Sequence, residues 1–367
     1  MRVALVHDYL SQDGGAERVL KAMHEMWPEA PIFVLFHDRE KINYIPIENI
    51  RESFIAKLPW HRQAYRWYLP LMPIATEKYR LKNFDLIISS TSAFAKGIIP
   101  APHALHISYC HTPPRYLWAD AEEYLDDASG LLIRVLLPRL IHKLRIWDKI
   151  SVDRVDHFLA NSETVKQRIS KYYRRASSVI YPPIDAKQFN ISAKIDDYFL
   201  TGGRLVPYKK LHIAVQAFNR LGWPLKIFGV GPEMAKLKRM AKSNIQFLGK
   251  ISETEKITLF NHARAFIHPQ LEDSGLTAVE AMASGRPVIA YAQGGATEKI
   301  RAGETGLFFS EQNWESLLQT LLDFSRHSWD SEVIRAHATR YDMDNFKQEL
   351  KNFVEQKYQE HLQNNTI

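Results

Sequence analysis

The chain has 367 residues, 46% hydrophobic and 24% charged, which is enough for two globular domains. Its single cysteine, Cys110, excludes an internal disulfide and a cysteine-rich metal site, and no apolar run reaches the ~18–20 residues of a membrane-spanning helix. The formal net charge of +7 suits a nucleic acid, an anionic membrane or a phosphorylated substrate; with no zinc-finger spacing and no RNA-recognition signature, nucleic acid ranks last.

The opening MRVALVHDYL turns polar too soon for a signal peptide, and VALVH after Arg2 reads as a first strand. Gly14 and Gly15 follow in a turn, and AERVLKAMHEM then has helical periodicity. Strand, glycine turn and helix open a Rossmann-like unit, but the dinucleotide fingerprint G-x-G-x-x-G is absent. The two glycines would let a phosphate or sugar approach the backbone, or serve only as a tight turn. PIFVLF at 31–36 is a second strand. Residues 57–73, KLPWHRQAYRWYLPLMP, hold Lys57, Arg62 and Arg66, the aromatics Trp60, Tyr65, Trp67 and Tyr68, and no acid. Such a stretch can lie at a lipid headgroup boundary. The alternative is a core helix whose arginines snorkel to water.

DLIISS at 85–90 and LHISYCH at 105–111 are further strands. The second runs into HTPPRYLW, where Pro113 and Pro114 fix the loop. His111 thus sits at a strand's carboxyl end, where open α/β sheets place ligand contacts. There it can hydrogen-bond a substrate hydroxyl, shuttle a proton or be structural. LLIRVLLPRLIHKLRIWDK at 131–149 is apolar with five Lys/Arg and one acid, is expected to kink at Pro138, and is a second candidate for lipid contact. HFLANS at 157–162 makes another strand–helix step, and 186–196 reads as a polar linker.

A second unit begins with YFLTGGRL at 198–205, a strand entering a turn, and Lys209 and Lys210 are expected to open the next helix. Arg204 and Lys209 can converge on a pyrophosphate, Arg as a fork and Lys as a point charge. They could also be solvated, but cations oppose the dipole at a helix start, which favours an anionic partner. PLKIFGVGP at 224–232, IQFLGKIS at 245–252, AFIHP at 265–269 and PVIAY at 287–291 repeat the strand-and-turn pattern. Strands alternating with helices predict a second parallel sheet. GGATEKI at 294–300 is a glycine turn. The remainder reads as helical, ending in the amphipathic NFKQELKNFVEQKYQEHL at 345–362.

The most informative stretch is EDSGLTAVE, Glu272 to Glu280. A strand ends before it, and a helix is predicted from near Thr277 to Gly285. Ser274, Gly275, Leu276 and Thr277 then stand at a helix N-terminus, whose free N–H groups and dipole favour an anion. Gly275 removes the side chain that would block a phosphate. Glu272 and Glu280 bracket the site and accept hydrogen bonds from hydroxyls. Hydroxyl acceptors on both sides of anion donors suit a nucleotide sugar. The competing reading is a T-x-x-E capping box, Thr277 with Glu280, and a solvated Glu272, which needs no ligand.

With these residues in place, the chain resembles retaining glycosyltransferases of the large fourth sequence family. E-x7-E with R-x4-K upstream, H-T-P-P-R-Y in the first half and GGAER near the start carries the resemblance over nearly the whole chain. VHDYL, GGAERVL, CHTPPRYLW and GRLVPYK look most like bacterial mannosyltransferases of the WbaZ type, which build surface polysaccharides. The resemblance implies an α/β fold of two Rossmann-like domains facing across a cleft (GT-B type), with the C-terminal helix returning to the N-terminal domain. The division expected is 1–185, acceptor-binding and joined by 345–367, and 186–344, nucleotide-sugar-binding.

The family's roles, carried over, put Glu272 on the donor sugar's hydroxyls, the N–H groups of Gly275, Leu276 and Thr277 beside Ser274 on the distal phosphate, and Glu280 on the ribose. Arg204 and Lys209 would neutralise the leaving diphosphate, and His111 would contact the transferred sugar near its reacting carbon. Gly14 and Gly15 would admit acceptor or phosphate, and the base would sit by Gly229, Lys250 and Ile251. One departure is Lys210, where the family often has glycine, so which lysine reaches the phosphate stays open. No D-x-D-type metal motif stands out and no cofactor is expected. The implied reaction moves mannose from GDP-mannose to a polyprenyl-diphosphate-linked saccharide. It would take place at the cytoplasmic face of an anionic membrane, with Trp60, Arg62, Arg66 and Trp67 on the membrane or acceptor side. The alternatives are a UDP-sugar donor, a sugar-nucleotide epimerase of the same architecture, and a catalytically silent nucleotide-sugar-binding partner.

Overall fold

The computed structural model describes residues 1–122 and 131–364, excepting the side chains of 131–135. By contacts the chain divides into Met1–Pro182 with the segment from Phe346 onward, and Pro183–Asn345. Residues 365–367, part of the expected returning segment, lie outside the described residues.

The first unit is built on a parallel sheet of β1 Val3–His7, β2 Ile32–Val34, β3 Ile50–Glu52, β4 Leu86–Thr91, β5 Leu105–Cys110, β6 His157–Ala160 and β7 Ser177–Val179, ordered β3-β2-β1-β4-β5-β6-β7. All six residues of β4 and of β5 are buried, as expected of central parallel strands covered on both faces. The chain builds outward from β1 through β2 to β3, then returns beside β1 with β4. The gap between β1 and β4 is therefore a topological switch point. The helix Met343–Asn364 buries Phe346, Leu350 and Val354 in this unit. The Phe346 ring meets that of Tyr109 at 5.9 Å, and Lys347 pairs with Glu25 at 2.6 Å.

The second unit has β8 Phe199–Gly202, β9 Leu225–Phe228, β10 Ile245–Gly249, β11 Phe266–His268, β12 Val288–Tyr291 and β13 Gly306–Phe309, ordered β10-β9-β8-β11-β12-β13 and parallel throughout. Its switch point lies between β8 and β11. The expectation that everything after 300 is helical is corrected by β13, which pairs with β12. A four-residue GLFF run carries too little periodicity to reveal a strand; Val288 supplies the partner backbone. Edge strands β3 and β7 were not anticipated either, being short and largely exposed or half-buried.

The helix Leu131–Ser151 continues through Pro138. It is anchored by Lys96, buried and ion-paired with Asp148, whose carboxylate also accepts from Trp118 Nε1 at 2.8 Å and the Tyr173 hydroxyl at 3.3 Å. Ile141 and Leu144 face the core, while Leu136, Ile146 and Ile150 are about half exposed. Among the described residues no helix is long and apolar enough to cross a membrane.

Asp8, directly after β1, holds the loop after β4. Its two oxygens accept from the backbone N–H groups of Ser92, Ala93, Phe94 and Ala95 at 2.6–2.9 Å. Asp8→Asn keeps one accepting oxygen and turns an NH2 group toward two of these donors. The expected loss is about 2–4 kcal/mol, read as a lower urea midpoint at unchanged slope.

Candidate functional site: two clusters at the switch points

In the second unit the loop after β11 carries the E-x7-E stretch. Gly275 takes the left-handed conformation (φ 67°) and caps the helix Leu276–Ala283 without any side-chain hydrogen bond. Glycine is the residue that adopts this φ at no steric cost, and the first-turn N–H groups are left without a side-chain cap. The T-x-x-E capping box does not form. Thr277 lies inside the first turn, and buried Glu280 receives Lys256 Nζ at 3.2 Å instead. The loop is held from below: Gly295 N donates to Glu272 O at 2.8 Å, and buried Lys299 donates to the Ser274 carbonyl and, at 2.8 Å, to its hydroxyl.

Lys209 and Lys210 do not open the next helix from within, which corrects the expectation. Lys209 ends the turn Pro207–Lys209, Lys210 is left-handed (φ 50°) and the helix begins at Leu211. The departure from glycine at 210 thus falls where glycine would be most at ease. The anion that Lys209 meets is Glu272; the two form an ion pair with Lys209 buried. Arg204 is exposed and donates to the Tyr208 hydroxyl at 3.3 Å. Gly229 (φ 105°) packs so closely on Gly203 that a Cβ there would strike the Gly203 carbonyl, and its N–H donates to Gly249 O at 2.6 Å. The loops after β8, β9 and β10 therefore lie side by side, with exposed Lys250 and half-buried Ile251 on the last.

Burial alone would raise the pKa of Glu272; adjacent Lys209 and then His268 outweigh it and hold the carboxyl at about 2. His268, fully buried, is pushed down to about 4 by burial and is neutral. Its Nδ1 meets Gln270 Nε2 at 3.0 Å. Its Nε2 has no hydrogen bond among the described residues and lies 3.8 Å from Glu272. Sequence reasoning missed His268, Gln270, Lys256 and Lys299. The signal that selects His111, a histidine at a strand's carboxyl end, also marks His268 in AFIHP. Lys256 reaches Glu280 from another helix, Glu253–His262, and leaves no local trace.

In the first unit His111 follows β5 and is 9% exposed. Its Nε2 lies 2.8 Å from Ser90 Oγ, which is 3.1 Å from His7 Nδ1. His7 Nε2 in turn stands 4.0 Å from Glu17 Oε1. The carboxyl ends of β1, β4 and β5 and the first turn of the helix Gly15–Met26 thus hold one buried polar row. Burial first, and then His7, push His111 down to about 3. Gly14 precedes this helix, and a Cβ on it would come to 3.0 Å of Glu17 Oε2.

The 57–73 segment is not a helix throughout, which corrects that alternative. It holds the 3-10 stretch Tyr65–Leu71 and the start of the helix Met72–Glu77. Tyr65 and Tyr68 pack toward a core cluster containing Phe36 and Met72. Trp60 and Trp67 are 77% and 79% exposed. Arg62 lies 4.0 Å from Asp38, and Arg66 is exposed.

Acid titration tests the Lys209–Glu272 pair. A carboxyl held below its ordinary 4.5 stabilises the fold fully above that pH, and the stabilisation is lost as pH falls toward about 2. The melting-temperature gap between wild type and Glu272→Gln is therefore expected to be constant from pH 7 to 5 and to narrow from pH 4.5 downward.

Comparison with known proteins agrees with this architecture. Residues 13–188 match the family model described as Glycosyltransferase Family 4, and residues 184–363 match Glycosyl transferases group 1. The chain is 28% identical over 225 residues to the O-antigen chain mannosyltransferase RfbU of Salmonella typhimurium, covering 56% of this chain and 61% of that one. It is 29% identical over 236 residues to O-antigen chain mannosyltransferase C of Escherichia coli, covering 58% and 61%. The match thus spans about three-fifths of the length of these curated relatives. Among solved structures, Anabaena HepE in complex with UDP and glucose superposes with a TM-score of 0.71 over 97% of this chain and 99% of that one, at 16% identity, a likeness of fold. The two family models together take in residues 13–363, and the chain belongs to the family 4, group 1 glycosyltransferases.

Proposed function

We propose that the protein transfers mannose, with retention of configuration, from GDP-mannose to a lipid-linked (polyprenyl diphosphate) saccharide in the assembly of a bacterial surface polysaccharide. The observation that carries the nucleotide-sugar site is the Lys209–Glu272 ion pair beside the helix N-terminus at Gly275, at the switch point of the second sheet. Mannose as the sugar is supported by the two O-antigen mannosyltransferases among the relatives.

In this reading Glu272 accepts hydrogen bonds from the sugar's hydroxyls, and Lys209 keeps it ionised and oriented. The N–H groups of Gly275, Leu276 and Thr277, with Ser274, hold the distal phosphate. Glu280, held by Lys256, accepts from the ribose, and the base lies by Gly229, Lys250 and Ile251. When the sugar–phosphate bond breaks, negative charge grows on the diphosphate and positive character on the sugar. Arg204, Lys209 and the helix N-terminus meet the former as it develops, in place of a divalent metal. The acceptor oxygen attacks from the face the diphosphate leaves, and its proton passes to a departing phosphate oxygen. His111 touches the transferred sugar, and Gly14 and Gly15 line the acceptor's approach.

Exposed Trp60 and Trp67 with Arg62 and Arg66 support peripheral attachment to the inner face of an anionic membrane, where the lipid-linked acceptor would lie.

Calorimetry with GDP, GDP-mannose, UDP and UDP-glucose, with EDTA present, is expected to show guanine-selective binding. Glu280→Gln is expected to weaken it by about tenfold, the worth of a hydrogen bond to a charged group. Uridine-selective binding would replace the donor. Transfer at the wild-type rate by Glu272→Ala would remove that residue from the site. For the membrane, each basic side chain near an anionic surface contributes about 1 kcal/mol. The double change Arg62→Glu and Arg66→Glu is thus expected to cut cosedimentation with anionic liposomes by more than about tenfold. Unchanged binding would exclude this segment as the lipid contact.

A further inference from the structure

The buried row beside His111 has a direction. A carboxylate only accepts hydrogen bonds, a neutral imidazole accepts at one nitrogen and donates at the other, and a hydroxyl does both. Glu17 sits in the first turn of the helix Gly15–Met26, where the dipole favours its negative charge. Its Oε2 is buried and has no hydrogen-bond partner among the described residues. His7 Nε2, 4.0 Å from Oε1, presents a ring nitrogen to it. A lone pair on that nitrogen would face the carboxylate's charge at this distance, so the proton of His7 belongs on Nε2.

The remaining polarities follow in sequence. In a neutral His7 ring Nδ1 is then a bare acceptor, and the hydroxyl 3.1 Å away, that of Ser90, donates to it. With its proton committed, Ser90 Oγ accepts from the nitrogen on its other side, His111 Nε2 at 2.8 Å. His111 Nε2 carries the proton, and its Nδ1 does not. His7, Glu17, Ser90 and His111 are 3%, 3%, 0% and 9% exposed, so water has little access to break the row. The main-chain carbonyl of His111 is fixed as well, by Asn161 Nδ2 at 2.8 Å.

We propose that Glu17, acting through His7 and Ser90, sets the tautomer of His111, so that His111 offers an unprotonated Nδ1 as a hydrogen-bond acceptor to a hydroxyl of the sugar being transferred. This rests on the assignment of His111 to that sugar. The chemical consequence is a matter of sign. An acceptor nitrogen draws the hydroxyl proton toward itself and leaves the sugar oxygen richer in electrons, which favours the positive character that develops as the bond to phosphate breaks. An N–H donor at the same place would oppose it. Burial keeps the ring neutral, so no imidazolium stands beside the developing cation. Glu17, His7 and Ser90 are positioning residues in this scheme. Gly14 belongs with them, because a side chain there would crowd the Glu17 carboxylate.

The test is nitrogen NMR of the full-length protein labelled with 15N-histidine, the His111 ring being identified by its loss in His111→Gln. In wild type, His111 is expected to show a protonated Nε2 and a bare Nδ1. Glu17→Met removes the acceptor at similar volume and is expected to give His111 the opposite or a mixed tautomer. Its kcat should fall by about tenfold, the worth of one hydrogen bond, with donor KM nearly unchanged. Glu17→Gln retains a carbonyl acceptor and should restore much of both. If Glu17→Met does not fold, Ser90→Ala breaks the same row and should release the tautomer in the same way. A wild-type ring protonated on Nδ1, or an unchanged tautomer in both Glu17→Met and Ser90→Ala, would overturn the relay, even with mannosyl transfer intact. Absence of transfer from any nucleotide sugar, with the tautomer responding as described, would overturn the assigned reaction and leave the relay standing.

Discussion

A parallel sheet sends every strand's carboxyl end to one edge, and where the strand order reverses, the two connections leave toward opposite faces and part from each other. Both sheets here reverse once, between β1 and β4 and between β8 and β11. Each polar cluster is attached to its reversal. His7 and Ser90 come from the two strands flanking the first. Lys209 and Glu272 lie on the connections that leave the two strands flanking the second. Strand order, more than the identity of any one residue, decides which side chains meet.

The second constraint is the cost of burying charge. An isolated buried ion is expensive to keep, and three of the buried lysines here are each paired with a carboxylate. Lys209 takes Glu272, Lys256 takes Glu280, and Lys96 takes Asp148. Such pairs add little net stability over well-packed apolar residues. What they do supply is fixed orientation. Glu272 and Glu280, the two ends of the E-x7-E pattern, are each held by a lysine from a different element. A carboxylate held in this way meets a hydroxyl without first losing side-chain freedom, which is the physical content of preorganisation. Lys299 donates to the carbonyl and hydroxyl of Ser274, burial draws its pKa down to about 8, and it fixes the loop that precedes the helix N-terminus.

The two surface segments of mixed apolar and basic character behave differently from one another. The 57–73 stretch turns Tyr65 and Tyr68 inward and Trp60 and Trp67 outward. It is both part of the core and a source of exposed aromatic surface. The helix Leu131–Ser151 is similarly divided, but the buried pair beneath it, Lys96 with Asp148, ties its inner face into the first unit.

The sequence by itself determined what depends on near neighbours. Strands and helices in alternation, the glycine turns, the α/β class and the E-x7-E stretch at a helix start are all visible within about ten residues, because side-chain period and turn chemistry are local. It did not determine the strands β3, β7 and β13, which are too short to show a period and exist because a neighbouring strand offers a ladder. Nor did it determine the partners. His7 and Ser90 are 83 residues apart, Ser90 and His111 21, and Lys256 and Glu280 24. Those contacts follow from strand order and helix packing, which the tertiary fold alone decides. Lys209 shows the limit most plainly: its charge marked it as suited to an anion, and only the fold shows that it is ion-paired with Glu272.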